Sequence, residues 1–97
     1  MTAGRVVVRL PAVLAEHAGG ERAIELLVPA GGTVGEVLDA LTADRPRLGW
    51  RLRDETGALR RHVNVFVGDE DIRATGGQAT AVADGDVVTL LPSVAGG

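Results

Sequence analysis

The chain ends in Pro92-Ser93-Val94-Ala95-Gly96-Gly97, and these residue types point to chemistry at the main-chain carboxyl rather than at a side chain. Glycine has no Cβ, so the acyl carbon of Gly97 is open to attack and the Gly96-Gly97 backbone can pass a narrow slot. The preceding run, Val87-Val88-Thr89-Leu90-Leu91, is β-branched and apolar and reads as a strand. Pro92 closes it, because proline has no N–H for a ladder. Six extended residues at ~3.4 Å each reach roughly 20 Å, far enough to thread a partner's active-site channel. On this reading Gly97 is the reacting residue, and Pro92, Val94 and Ala95 are the stretch that a partner grips. The same residues also fit a plain reading, a loose and inert terminus.

Side-chain chemistry elsewhere is sparse. With no cysteine among 97 residues there is no disulfide framework, thiolate metal site or cysteine nucleophile, so any sulfur chemistry must borrow its sulfur. His17 and His62 lack acidic or cysteine partners at ligand spacing, and no metal site is expected. Asp69-Glu70-Asp71 offers oxygen ligands but not the spacing of a calcium loop, and reads as a solvated turn. Gly31-Gly32 lacks the glycine-lysine-serine/threonine of a phosphate loop. A net charge of −3 with one Trp and one Phe argues against nucleic acid as a partner. No apolar run approaches a membrane span, and the N-terminus lacks a signal-peptide core, so the expectation is a cytoplasmic protein without a membrane partner. All ten basic residues are arginine; there is no lysine side chain to modify.

The elements that must position the tail follow from periodicity. Arg5 to Leu10 alternates Val6, Val8 and Leu10 against Arg5, Val7 and Arg9, a strand with one apolar face. Pro11 to Gly20 reads as a loop with a helical turn around Val13 to Glu16. Ala23 to Val28 is a second strand, with Ile24, Leu26 and Val28 inward. Thr33-Val34-Gly35-Glu36 is a capping box, and Val34, Val37, Leu38 and Leu41 form one helical stripe ended by Pro46. Arg47 to Gly57 is charged, with Leu48, Trp50 and Leu52 available to cover the core edge. Val63 to Val67 is the third strand, and after the Gly68 to Asp71 turn Ile72-Arg73 begins a short return strand. Asp84-Gly85-Asp86 turns into the final strand.

This order predicts an α+β two-layer domain, a mixed sheet of about five strands with one main helix. It suggests a β-grasp (ubiquitin-like) fold over residues 1–91, with residues 92–97 as a projecting reactive tail. In that fold the first and last strands lie side by side in parallel, which roots the tail in the middle of the sheet. The expected core is Val6, Val8, Leu10, Ile24, Leu26, Val37, Leu38, Leu41, Val63, Val65, Val88 and Leu90. Alternation then turns Phe66, Leu91 and Val7 outward on adjacent strands, an apolar patch beside the tail root that would receive a partner. The plainer alternative is that Phe66 is shielded by Trp50 or simply exposed.

Taken together, the chain resembles the small ubiquitin-like sulfur-carrier proteins (the MoaD/ThiS family) that serve molybdopterin, thiamine and cysteine biosynthesis. The resemblance spans the element order and is most specific from Arg61 to Gly97. Val63 to Arg73, Gly76 to Ala81, Ala83 to Asp86 and Leu91 to Gly97 are most similar to the carriers of the cysteine pathway. The tail Val94 to Gly97 is shared with the molybdopterin carriers. The resemblance implies a protein cosubstrate rather than an enzyme. A ubiquitin-activating-type adenylating enzyme, using ATP and magnesium, would activate the Gly97 carboxylate, and a sulfur donor would convert it to a thiocarboxylate. That sulfur would pass to an acceptor on a pyridoxal-phosphate-dependent cysteine synthase, and a zinc (JAMM-type) protease would release cysteine from Gly97. The chain itself would bind no cofactor. Two alternatives stay open: the small subunit of molybdopterin synthase, or another metabolite's sulfur carrier, and a ubiquitin-like protein modifier.

Overall fold

The computed structural model describes residues 4–29 and 31–92. Along the chain these form β1 (Gly4–Arg9), α1 (Ala12–Ala15), β2 (Ala23–Val28), α2 (Val34–Thr42), α3 (Pro46–Leu52), β3 (Val63–Val67), β4 (Glu70–Asp71) and β5 (Val87–Pro92). The five strands make one mixed sheet in the order β2-β1-β5-β3-β4. β1 and β2 are antiparallel, from Gly4↔Val28 to Arg9↔Ala23, while β1 and β5 are parallel, with Val8 opposite Val88. β5 then runs antiparallel to β3, from Val63↔Pro92 to Val67↔Val88. This is the β-grasp arrangement expected from the sequence, with first and last strands adjacent and the helices on one face.

Period-two alternation decides which strand residues enter the core. Val6, Val8, Ile24, Val28, Val63, Val65, Val88 and Leu90 are all buried, as expected. Leu26 is only half-buried, because β2 is an edge strand with no further strand to cover it. Opposite the sheet, Val34, Val37, Leu38 and Leu41 of α2 present the predicted stripe and are fully buried.

The capping box that starts α2 is present in full. The Thr33 hydroxyl accepts from the Glu36 amide at 3.3 Å, and Glu36 Oε1 accepts from the Thr33 amide at 3.2 Å. Thr33→Ala removes the first of these bonds and should cost about 1 kcal/mol. Chemical denaturation should show this as a lower midpoint at unchanged slope, and an unshifted midpoint would mean that neighbouring contacts hold the helix start.

Three elements differ from the sequence expectation. Pro46 does not end the main helix, which stops at Thr42; it opens a third helix, α3, at a position where a missing N–H costs nothing. Leu48 and Leu52 of α3 are fully buried at i, i+4 spacing, whereas Trp50 is 62% exposed and covers no core edge. The return strand is Glu70–Asp71 rather than a run from Ile72. The Asp71 carboxylate accepts from the Arg73 amide and bends Ile72–Ala74 into a 3₁₀ turn that buries Ile72. The loop between β3 and β4 is two residues, Gly68-Asp69, with φ +60° at Gly68 and no positive φ at Asp69. That is the type II′ hairpin geometry, which requires glycine at its first position.

Among the described residues no helix is long and apolar enough to cross a membrane.

Candidate functional site

β5 is held on both sides. Val87 to Thr89 pair with Val7 to Arg9 of β1, and Val88 to Pro92 pair with β3. Its core-facing residues Val88 and Leu90 are fully buried. A segment leaving β5 therefore starts from a central strand anchored by two ladders.

Pro92 is the last residue of β5, so the sheet runs one residue past the boundary expected at Leu91. The register explains how a proline fits there. The Gly68 amide donates to the Val87 carbonyl at 2.9 Å, so residues 87, 89 and 91 hold the hydrogen-bonded positions towards β3. Pro92, opposite Val63, falls between them, and β1 pairs with β5 only as far as Thr89. The missing N–H thus lies where no ladder calls for it.

The register turns Phe66, Leu91 and Val7 to the outward face of the sheet. Phe66 stands opposite Thr89 and Asn64 opposite Leu91, which places Phe66 and Leu91 as diagonal neighbours. Val7 pairs with Val87, itself diagonal to Phe66. Leu91 is 42% exposed, while Phe66, Val7 and Pro92 are half-buried. Since β5 lies between β1 and β3, Val87 and Thr89 link Val7 to Phe66. The sequence reading left out these two, although the alternation that placed Leu91 outward places them outward as well. Trp50 belongs to the helical layer, on the face opposite Phe66, and does not shield it. Val94, Ala95, Gly96 and Gly97 lie outside the described residues.

No group of three or more His, Cys, Asp or Glu side chains among the described residues is placed to hold a metal ion. His17 lies 3.4 Å from Glu16. The Asp54 carboxyl is held below the ordinary value by the Thr56 hydroxyl and amide and, more weakly, by the Ala58 amide. These bonds fix the turn that follows α3. None of these side chains touches the patch. Among the described residues, the outward face beside the end of β5 carries the apolar side chains Phe66, Leu91 and Val7.

Comparison with known proteins agrees with that geometry. The model of the ThiS family matches residues 8–97. Sulfur carrier protein CysO of Mycobacterium tuberculosis is 46% identical over 94 residues, covering 95% of this chain and 98% of that protein. Its crystal structure superposes with a TM-score of 0.78, at 44% identity over 92% of this chain and 99% of that one. SAMP1 from Haloferax volcanii gives a TM-score of 0.84 at 37% identity, covering 97% of this chain and all of that one. The match to the BexX/CysO complex of Amycolatopsis orientalis has a TM-score of 0.82 at 42% identity, over 95% of this chain and 99% of that one. On the extent of the family match and the identity along nearly its full length, this chain belongs to the ThiS family.

Proposed function

We propose that the chain is a sulfur carrier in cysteine biosynthesis and that the carboxyl of Gly97 is where the sulfur is held. The observation that carries this reading is the 46% identity, along nearly the whole of both chains, to sulfur carrier protein CysO. The rooting of the chain end in the central strand of the sheet supports it. The chain is a carrier and not an enzyme: its part is a reactive end and a docking face.

A carboxylate is a poor electrophile, so it must first be activated. An adenylating partner joins the Gly97 carboxylate to the α-phosphorus of ATP and releases pyrophosphate, magnesium offsetting the charge. A sulfur nucleophile then attacks the acyl carbon, the C–O bond to AMP breaks, and a thiocarboxylate is left. The loaded sulfur adds to an electrophilic acceptor held by a pyridoxal-phosphate-dependent cysteine synthase. A sulfur-to-nitrogen acyl shift leaves cysteine amide-linked to Gly97, and a zinc protease hydrolyses that amide. Intact-mass measurement after incubation with the adenylating enzyme, ATP and a sulfur donor tests the first half. The oxygen-to-sulfur mass increase is expected, and a chain that stays unchanged under conditions that load a known carrier would remove the reading.

The patch of Phe66, Leu91, Val7 and Pro92 is the surface on which the adenylating enzyme docks in this proposal, with Val94 and Ala95 gripped inside its channel. Aromatic anchors commonly dominate such contacts, so Phe66→Ala should weaken binding about tenfold. Its stability loss should be smaller than that of a fully buried truncation, because Phe66 is only half-buried. Titration calorimetry and thermal unfolding together read both effects. Unchanged affinity with a large loss of stability would make Phe66 a packing residue instead.

Similarity to small archaeal modifier protein 1 (SAMP1) of Haloferax volcanii, 42% identical over 89 residues, favours a second reading as a protein modifier. Carboxyl activation is common to both. A modifier yields ladders of lysine conjugates in host extract, a carrier only the sulfur-loaded monomer.

A further inference from the structure

The charges of this acidic chain are sorted by the fold. β5 runs towards the tail; β1, parallel to it, ends at Arg9, and β2 begins opposite, just after Arg22. β3 begins opposite Pro92, just after Arg60 and Arg61. Arg73 is drawn to the same end, donating to the Arg61 carbonyl at 3.3 Å and the Val63 carbonyl at 3.1 Å. Five of the ten arginines thus surround the point where β5 leaves the sheet. They lie in two groups: Arg9 and Arg22 line a hollow with Leu91 on the β1 side, and Arg60, Arg61 and Arg73 line another on the β3 side.

These charges are largely uncompensated. Among the described residues only Arg73 of the five has a carboxylate in ion-pair range, Asp71 at 3.4 Å. Arg22 and Arg60 direct Nε to the carbonyls of Leu10 and Trp50. At the opposite end of the sheet, Asp69 lies in the turn after β3, Glu70 is the first residue of β4, and Asp84 and Asp86 lie in the segment before β5. None of the four forms an ion pair among the described residues. Small soluble domains usually intersperse the two signs, and a one-signed field is a means of steering.

We propose that this arginine collar docks on an acidic rim at the mouth of the channel that admits the tail. The proposal rests on the sulfur-carrier reading for the tail's entry into a channel. A partner that takes in the last residues must meet the collar, since both surround the same exit. With a Debye length of ~8 Å at physiological salt, the collar acts only as the surfaces close. An acidic rim repels the body, of net charge −3, in other orientations, so the field selects the approach in which the chain end leads. The apolar patch then supplies affinity, and the collar supplies association rate and orientation.

Arg9 and Arg61 make no side-chain hydrogen bond or ion pair among the described residues, so reversing them spares the fold. The test measures association of the full chain with the adenylating enzyme of its own organism, by stopped flow at low and high salt. No sulfur transfer is needed for the readout. Arg9→Glu with Arg61→Glu should slow association at least about tenfold at low salt and flatten its salt dependence. Asp69→Lys with Glu70→Lys, at the far end, should not slow association at either salt concentration, and any change at low salt should be a modest acceleration from the lost net negative charge. Equal rates for wild type and the arginine variant, equal effects from both ends, or no measurable association of the wild type would each overturn the proposal. So would capture of wild type, but not of the variant, by a random oligonucleotide while the enzyme fails to discriminate them. If the wild type binds with the expected salt dependence yet never gains sulfur, the collar stands and the sulfur-carrier reading falls.

Discussion

Removing Gly97 should reduce sulfur loading to below about 1% of the full-length rate while leaving thermal stability nearly unchanged. Deletion moves the carboxylate back by ~3.4 Å relative to the docked body. Reactions that depend on positioning lose on the order of 100-fold for a 1 Å misplacement, so the loss is larger than for any substitution in the docking face. Stability is spared because the last buried core residue along the described chain is Leu90, seven positions before Gly97. Gly97→Ala should act in the same direction but less strongly, since a methyl group crowds the acyl carbon and restricts φ. Gly96→Ala should act on channel fit, weakening binding more than chemistry. ATP-dependent thiocarboxylate formation, read by intact mass beside a thermal melt, separates these outcomes. A Gly97-deleted chain that loads as fast as the full one would show that the tail is not the reactive end.

The second large effect is on the fold. Leu90 is fully buried on β5 opposite Val65, between the ladders to β1 and β3. Leu90→Ala leaves a cavity at the centre of the sheet and should cost ~2–5 kcal/mol. Domains of this size hold only ~5–15 kcal/mol in total. At ~4–8 °C per kcal/mol, the melting temperature should fall by roughly 8–40 °C. Leu91→Ala, one residue along and on the outward face, should cost far less. Because side chains alternate with period two, this adjacent pair tests the register directly: a larger loss at Leu91 than at Leu90 would place the wrong face inward. A weakened β5 should also loosen the base of the tail, so Leu90→Ala should load poorly near its melting range and recover on cooling.

Some of this was determined locally and could be read from the chain. Both ends of β2 and of β3 fall where the alternation placed them, and α2 begins at its capping box. Strand periodicity and capping depend on residues within a few positions of one another, so the sequence carries them without any tertiary context. The outward placement of Phe66, Leu91 and Val7 has the same origin. α3 was obscured because its apolar stripe is only Leu48 and Leu52, set among arginines, and it is burial against the rest of the core that makes those two sufficient. The same limit hid the burial of Ile72 and the exposure of Trp50, which depend on what lies across the domain. The collar is the clearest case. Arg9, Arg22, Arg60, Arg61 and Arg73 are scattered over 65 positions and share no period or motif. What gathers them is the parallel pairing of β1 with β5 and the antiparallel pairing of β5 with β3, which bring distant strand ends to one edge. The residue types of positions 92–97 are thus a local property of the sequence, while the charge gathered around the end of β5 is set by strand pairing, a long-range property that no stretch of the chain carries alone.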